Sequence, residues 1–332
     1  MFMIGRMTSI FAATLALSLA TPALAEKTPL KVVSGGAFKE IRTISIGAFT
    51  VGFIFESVDN SAATGGLVGA FGSTTRAKSE LVGVSEVQMQ AITDAAYADF
   101  RTQLTARGFT VSDGAGLFAS PKVARIKPVA TPYVVKVKLD PKKDSNGKAT
   151  FFKPTALPGL MVLAGDITGS GMFSGFSQMG IGIDTQMAYI EHARTTGETV
   201  INVIYLIDFS QVKRPGAFSF GGVAVNSGMS VVADYSRLTA ITPTSKMAQL
   251  LVQTPVAVEG DFATKSDETK DAALQSAANV AGGVAAAFGV GGLSFGKSRT
   301  YRFSAKPAYQ DGAIKAATLT NERIVGELVT LR

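Results

Sequence analysis

The sequence predicts an α+β fold, in which an α/β core of mixed sheet with flanking helices carries two amphipathic β-hairpins and a C-terminal helical extension. Three observations support this prediction. Residues 41–55 are rich in β-branched and aromatic side chains, and a helical apolar pattern follows from Ser85. Residues 167–189 and 221–235 alternate between apolar or small residues and polar residues, which is the period of a strand with one buried face. Residues 311–331 are apolar at helical spacing.

The N-terminal residues 1–25 are predicted to be a secretory signal. Arg6 supplies a positive start, residues 7–20 are mostly apolar, and Ala23-Leu24-Ala25 has the small residues of a cleavage site. We therefore expect the mature chain to begin near Glu26 and the protein to be exported to the periplasm or the outer membrane. The chain contains 0 Cys, which excludes disulfides and a lipidated N-terminal cysteine.

Residues 26–243 are predicted to form the core. After the strand at 41–55 comes a Gly-rich loop, 59–75, and then a helix that Ser85 and Gln88 cap and Gly108 ends. Prolines argue against a helix between 119 and 158, and the one strand predicted in that stretch is 133–139. Further strands are predicted at 159–164 and 199–212. The two amphipathic hairpins are placed at 166–189 and 216–236, the second with a turn at 226–228.

Residues 244–332 are predicted to be a helical and Gly/Ala-rich C-terminal region. A short helix is expected at 245–253 and a longer one, capped by Asp267, to about residue 281, followed by a strand at 300–304 and the helix at 311–331. Residues 272–296 carry no charge, but their apolar content is Ala and Gly, which favours a packed helix and a loop over a membrane-spanning helix.

No catalytic constellation survives inspection, so we expect no enzyme, cofactor or metal. His192 is the only histidine and is predicted to lie in an exposed loop. Residues 291–298 match the phosphate-binding pattern G-x-x-x-x-G-K-S, yet a strand pattern follows where a helix is required, so no nucleotide is expected. Asp166 and Asp184 could face each other across the first hairpin, but solvated carboxylates are the simpler interpretation.

A basic patch accounts for most of the net charge of +7. Such a patch suits anionic head groups or acidic partners, and a solvated hairpin with charged tips is the alternative. Nucleic acid is not expected, because no aromatic platform is interleaved. The patch comprises Lys122, Arg125, Lys127, Lys136, Lys138, Lys142 and Lys143.

Residues 180–186 read Gly-Ile-Gly-Ile-Asp-Thr-Gln. With the order of strands and helices over residues 41–238, this piece resembles the curli secretion channel CsgG and relatives with a TolB N-terminal-like α/β core. The resemblance implies an oligomeric ring whose subunits each donate two amphipathic hairpins to one outer-membrane barrel, although the lipid anchor of that family is missing here. The implied pore loop offers Asn60 and Phe71. The implied lipid-facing residues are Ile167, Phe173, Met179, Ile181, Ile183, Val223, Val225, Met229 and Val231.

The resemblance implies a non-enzymatic, exported protein that forms homo-oligomers at the outer membrane, as a secretion channel or as an assembly component of a surface structure. The alternative is a soluble periplasmic binding or scaffold module with the same core and no pore. An enzyme of unrecognised mechanism is a third possibility.

Overall fold

The computed structural model describes residues 28–62, 74–140, 145–167, 176–213, 224–269 and 297–332. The longer helices are α1 (Glu86–Ala106), α3 (Phe176–Thr196) and α4 (Tyr309–Leu331), and α2 (Ala115–Ala119) is short. The strands are β1 (Leu30–Val33), β2 (Thr43–Ala62), β3 (Thr74–Val82), β4 (Thr110–Val111), β5 (Tyr133–Asp140), β6 (Ser145–Phe152), β7 (Thr199–Lys213), β8 (Ala224–Val231), β9 (Arg237–Ile241), β10 (Met247–Val252), β11 (Val256–Val258), β12 (Ala263–Asp267) and β13 (Lys297–Ala305).

The strands form a 13-stranded mixed sheet, and this confirms the predicted α+β class. The main order is β1-β10-β9-β7-β2-β3-β13-β12, in which β2 and β7 are parallel neighbours at the centre. β6 pairs with the other edge of β2, and β5 pairs with β6. β2 therefore contributes to two parts of the sheet: its first half pairs with β7, and its second half pairs with β3.

One face of the central sheet is covered by α1 and α4. Phe49 on β2 packs edge-on against Tyr97 of α1, with ring centroids 5.6 Å apart. The buried Tyr205 hydroxyl of β7 donates to Asn321 Oδ1 of α4 at 2.7 Å, so the apolar layer also contains a satisfied polar contact. These contacts fix both long helices against the strands that lie at the centre of the sheet.

The other face is covered by α3 and the segment before it. The buried Tyr189 hydroxyl of α3 donates to Gly47 O at 2.8 Å. Its ring lies so close to the sheet that a Cβ at Gly47 would be 2.6 Å from Tyr189 Cε2. α3 also meets the preceding segment closely, because a Cβ at Gly182 would be 2.7 Å from Ala164 N. Glycines at both positions permit this close packing.

Two helices agree with the sequence prediction. α1 begins with the expected capping box, in which the Ser85 side chain accepts from Gln88 N while the Gln88 side chain accepts from Ser85 N. α4 spans the predicted C-terminal helix and begins at Tyr309. The strand expected at 300–304 is also present, within β13.

The prediction of a β-hairpin at 166–189 is wrong, because most of this stretch belongs to the helix α3. Thr185, Ala188, Tyr189 and His192 are buried, whereas Ile183 and Met187 are exposed. Buried positions three and four residues apart share one face of a helix. The period-2 alternation that suggested a hairpin coexists with this helical pattern, and packing of Tyr189 against the sheet selects the helix.

In the second predicted hairpin, at 216–236, the prediction of a strand is correct, but the prediction of a turn at 226–228 is wrong. β8 runs through residues 226–228, where a turn was expected, and pairs antiparallel with β7. The register shifts between Asp208 and Ser210, so that two residues of β8, Gly228 and Met229, stand opposite Phe209. The Asn-Ser-Gly sequence therefore marks a β-bulge, which glycine favours, rather than the end of a strand.

Three further predictions differ from the structure. The helix predicted at 245–253 is absent: Met247–Val252 form β10, whose burial alternates as a strand requires. Residues 159–164 form no strand, but Leu160 makes an isolated bridge to Val129. Asp267 ends β12 instead of capping a helix. The helix predicted to follow it falls largely on residues 270–296, which lie outside the described residues.

Candidate functional site

Several strands of the sheet end on the same side of the molecule. β2 and β7 are parallel, β3 and β6 run against β2, and β13 runs parallel to β3. The register pairs Ala62 with Thr74 and Lys213 with Ala224. Connections 63–73, 141–144, 214–223 and 270–296 consequently all leave from one end of the sheet, which we call the strand-end side.

The connections at the strand-end side have an unusual composition. Residues 63–73 (ATGGLVGAFGS) carry no charge, residues 214–223 (RPGAFSFGGV) carry one, and residues 272–296 carry none. Gly, Ala and Phe recur in all of these, and Gly-Gly-x-x-x-Ala-Phe-Gly occurs at 65–72 and again at 282–289. Topology therefore brings the starting points of three chemically similar, largely uncharged segments together, although they are far apart in the sequence.

The two residues of the implied pore loop have different positions. Asn60 lies on β2 near the strand-end side, with Arg76 of β3 as its Cα partner, so it belongs to a strand and not to a loop. Phe71 lies outside the described residues. The loop predicted at 59–75 is thus shorter than expected, because β2 continues to Ala62 and β3 begins at Thr74.

The structure does not place the implied lipid-facing residues on two exposed hairpins. Ile167, Met229 and Val231 are buried in the hydrophobic core. Their apolar side chains cover the protein's own sheet, which explains their alternation without lipid. Met179, Ile181 and Ile183 lie on α3, Val225 lies on β8, and Phe173 and Val223 lie outside the described residues.

A charged face extends over the ribbon of strands β5-β6-β2-β3-β13-β12. In this register Lys136 stands beside Lys148, which stands beside Glu56, then Glu80 and Arg302. The even-numbered residues at 56–60, 76–82, 134–138, 146–150, 264–266 and 298–304 point to this side and are exposed or half-buried, whereas odd-numbered residues such as Val137 and Phe303 are buried. We call this side the outward face. Its basic residues are Arg76, Lys78, Lys136, Lys138, Lys148 and Arg302.

The predicted basic patch is split by the fold. Lys136 and Lys138 lie on the outward face, whereas Lys122 lies beside α3 and forms an ion pair with Glu191. Arg125 and Lys127 are exposed near that second location, and Lys142 and Lys143 lie outside the described residues. Sequence reasoning missed Arg76, Lys78 and Arg302, because only strand pairing brings these residues next to β5 and β6.

A buried polar cluster lies beneath the segment that precedes α3. Asp166 Oδ1 is 3.3 Å from Arg237 Nη2, and Asp166 Oδ2 accepts from Leu163 N at 2.8 Å. Burial raises the pKa of the Asp166 carboxyl, although the Arg237 guanidinium acts in the opposite direction. The buried Asn202 amide is close enough to lower this pKa, yet within the described residues neither its polar atoms nor the Tyr235 hydroxyl have a partner in hydrogen-bond geometry.

A second carboxyl group, that of Asp208, lies on β7. Asp208 Oδ1 accepts from Ser210 N at 3.0 Å and from Ser210 Oγ at 3.1 Å. Burial raises the pKa of Asp208 to about 6, and the charge of Asp59 acts in the same direction. Asp208 and Asp59 are therefore close enough to repel each other. No group of three or more His, Cys, Asp or Glu in the described parts of the chain is arranged to hold a metal ion.

The histidine prediction is wrong, because His192 is buried on α3 rather than exposed in a loop. Its Nε2 lies 3.3 Å from Glu198 Oε2, and the same oxygen accepts from the Ser45 hydroxyl. The carboxylate thus stands between serine and histidine, so the imidazole has no contact through which to deprotonate Ser45. Ser45 is fully buried, and this arrangement is a structural network.

The phosphate-binding pattern at 291–298 has the wrong structural context. Lys297 and Ser298 begin the strand β13, whereas a phosphate-binding loop must lead into the N-terminus of a helix. The preceding glycines lie outside the described residues. Asp184 lies on α3, so it does not face Asp166 across a hairpin as considered above.

One shallow groove lies beside α1, with a volume of about 490 Å³. Asp94, Tyr97 and Arg101 line it, but Asp94 Oδ1 already accepts from Thr155 N at 2.7 Å. None of the helices in the described ranges combines the length and the apolar composition that crossing a membrane requires.

Comparison with known proteins gives no match: no family model, no curated protein and no solved structure is similar to this chain.

Proposed function

We propose that this protein is an exported, non-enzymatic component of the cell envelope that assembles into homo-oligomers at the outer membrane, where it serves a surface structure or a secretion channel. The observation that carries the proposal is the convergence of three largely uncharged connections, 63–73, 214–223 and 270–296, at the strand-end side. The signal-like residues 1–25 support export.

Composition explains why this side would meet a membrane or further copies of the chain. Segments with almost no charge and with Gly, Ala and Phe lose little by leaving water, since no ionised side chain must be desolvated. The strands that carry them are long and firmly paired, so the starting points of the segments have fixed positions. A fixed cluster of such segments is suited to multivalent contact with a bilayer or with neighbouring subunits.

The proposed contact differs from the one that the family resemblance implies. That resemblance assigned lipid contact to 166–189 and 216–236, but α3 occupies most of the first stretch, and Met229 and Val231 of the second are in the core. Connections 63–73 and 270–296 replace them in the present proposal. A channel remains one form of the assembly, with Phe71 in the contacting segment.

The experiment compares the cellular location of wild-type protein with that of Phe71→Asp and Phe288→Asp variants. Val87→Asp is the matched control, because Val87 is 79% exposed on α1. We expect wild type and control to sediment with outer membranes and to cross-link as oligomers, whereas the two Phe variants move to the soluble periplasmic fraction. Wild-type protein released as a monomer by osmotic shock would contradict the proposal.

A soluble periplasmic binding or scaffold module is the second candidate. It is favoured by the burial of Met229 and Val231, since a strand whose apolar side chains fill its own core needs no lipid. The osmotic-shock result above would support this candidate, and Phe71→Asp would then leave the location unchanged.

A further inference from the structure

We propose that the outward face binds the anionic head groups of a lipid bilayer. The inference rests on the proposed function, because it identifies the lipid surface that the strand-end side would contact. The face is built by six neighbouring strands, β5-β6-β2-β3-β13-β12, and β2 contributes its even-numbered residues from Glu56 onward. Strands lie about 4.8 Å apart, so the ribbon is roughly 25 Å wide.

Charges on the outward face are only partly neutralised. Glu56 Oε2 lies 3.7 Å from Lys78 Nζ, and Glu56 Oε1 lies 3.8 Å from Lys148 Nζ, so one carboxylate is shared by two lysines. Arg302 Nε lies 3.3 Å from Glu268 Oε1. These contacts leave the centre of the face close to neutral.

The remaining cations flank this centre: Arg76 lies nearer the strand-end side, whereas the register places Lys138 level with Lys78, and Lys136 level with Lys148. Arg76 is the third residue of β3, and Lys136 and Lys138 are on β5, whose last residue is Asp140. All three side chains are exposed, and among the described residues none of them has an ion pair or a hydrogen bond. Exposed lysines on an edge strand also discourage pairing with another strand, but this role does not explain Arg76, which lies on the interior strand β3.

The shape and composition of the face favour head groups over other anions. Its positions contain no aromatic side chain along the described strands, so it lacks the stacking platform of a single-stranded nucleic-acid site. An acidic peptide would be held best in a groove, whereas this surface is an open sheet face. Phosphate head groups form an extended anionic plane that needs only several cations with the same orientation.

The neighbouring connections give the second reason. The outward face extends to the strand-end side, from which connections 63–73 and 270–296 leave; residues 63–73 and 272–296 carry no charge. Cations beside apolar segments are the usual combination for proteins at a bilayer surface, because apolar burial and head-group attraction add to each other.

The test measures co-sedimentation of the purified protein with vesicles of phosphatidylcholine, or of equal parts phosphatidylcholine and phosphatidylglycerol. The variant combines Arg76→Gln, Lys136→Gln and Lys138→Gln. At about a tenfold change for 1.4 kcal/mol and ~1 kcal/mol for each basic residue, we expect roughly a hundredfold weaker binding to the anionic vesicles. We also expect wild-type binding to weaken at high salt.

The matched control carries Lys31→Gln, Lys39→Gln and Lys315→Gln, which remove the same charge from exposed positions outside the outward face. The control is expected to bind like wild type. Equal weakening of both triple variants, or unchanged binding of the outward-face variant, would overturn the inference. Thermal unfolding of each variant verifies that it folds, and the three single substitutions, each expected to weaken binding by about fivefold, replace the triple variant if it does not.

Two further outcomes separate this inference from the proposed function. If wild-type protein fractionates as an outer-membrane oligomer but does not distinguish anionic from neutral vesicles, the inference fails and the function stands. If it binds anionic vesicles through Arg76, Lys136 and Lys138 but leaves cells as a periplasmic monomer, the function fails and the inference stands. Preference for polyglutamate over anionic vesicles would assign the face to an acidic protein and overturn the inference.

Discussion

Residues 167–189 and 221–235 share the same alternating pattern but have different structures. The first stretch contributes to the helix α3, and the second contains the strand β8. In the first, buried Thr185, Ala188 and Tyr189 follow helical spacing as well as part of the alternation. In the second, Met229 and Val231 are buried at the spacing of a strand. Alternation alone therefore does not select a strand when a helical face is also present.

The neighbouring elements of the fold determine whether each stretch forms a strand or a helix. β8 has an antiparallel neighbour on each edge, β7 and β11, which satisfy its backbone groups. α3 satisfies its own backbone and buries Tyr189 over Gly47, where the β2 register shifts. A sequence that is compatible with both periods adopts the form whose buried side chains meet a complementary surface.

The largest expected effect is the difference in stability between the variants Tyr189→Ala and Met187→Ala. In a hairpin both odd-numbered side chains would lie on one face, but on α3 Tyr189 is fully buried and Met187 is 58% exposed. We expect Tyr189→Ala to lower the free energy of unfolding by ~3–5 kcal/mol and Met187→Ala by less than about 0.5 kcal/mol. Urea unfolding followed by circular dichroism measures both. Similar losses for the two variants would contradict the helical assignment.

A smaller effect is expected for Gly182→Val, which tests the same assignment from the opposite direction. Valine favours strands, so it would stabilise a hairpin. On α3 the new side chain would instead meet the backbone of Leu163 and Ala164, with a Cβ 2.8 Å and 2.7 Å from their atoms. We expect a loss of ~1–3 kcal/mol from this overpacking. Gly180→Val is the control, because nothing lies within 4 Å of a Cβ there. A gain in thermal stability for Gly182→Val would favour the hairpin.

The smallest effect concerns the neighbour of the second stretch, Asp208, whose Cα partner is Ser230 of β8. Its pKa of about 6 in the fold is above the ordinary value, so ionisation of Asp208 destabilises the folded state above pH 6, and this penalty disappears below about pH 4. Because the residue is only half-buried, we discount the full shift and expect Asp208→Asn to stabilise by about 1–2 kcal/mol at pH 8.

The pH dependence of this gain provides the decisive measurement. Thermal unfolding of wild type and Asp208→Asn should differ at pH 8 and converge near pH 4, since the aspartate is then protonated in both states. Asp234→Asn is the comparison variant, because Asp234 is exposed in the connection between β8 and β9. A constant difference between wild type and Asp208→Asn at all pH values would show that charge is not the cause.

Patterns within contiguous residues predicted correctly the elements that those residues determine by themselves. The Ser85 capping box and the apolar face of α4 are contained in contiguous residues, and both were predicted correctly. β10 was mistaken for a helix because its six residues are too few to separate the two periods, and only pairing with β1 and β9 makes it a strand. Likewise, Asn226-Ser227-Gly228 has turn composition, and only the register with β7 reveals a bulge.

The candidate site was predictable only in part, for a related reason. Lys136 and Lys138 are close in sequence and were identified as basic, but Arg76 joins them only through the order of strands β5, β6, β2 and β3. Asn202 and Asp166 are likewise distant in sequence and meet through packing. Charge clustering along the chain detects a patch on one hairpin, whereas a patch shared by several strands requires the topology.

The 20-residue strand β2 has a mechanical consequence. A single extended segment of this length spans roughly 65 Å, and here it starts at the centre of the core and finishes at the strand-end side. A bulge between Ile54 and Glu56 marks the position where its partners change, but the chain does not break there. The ribbon cannot rotate as an independent arm, so any load applied at its far end is transmitted directly to the packed interior.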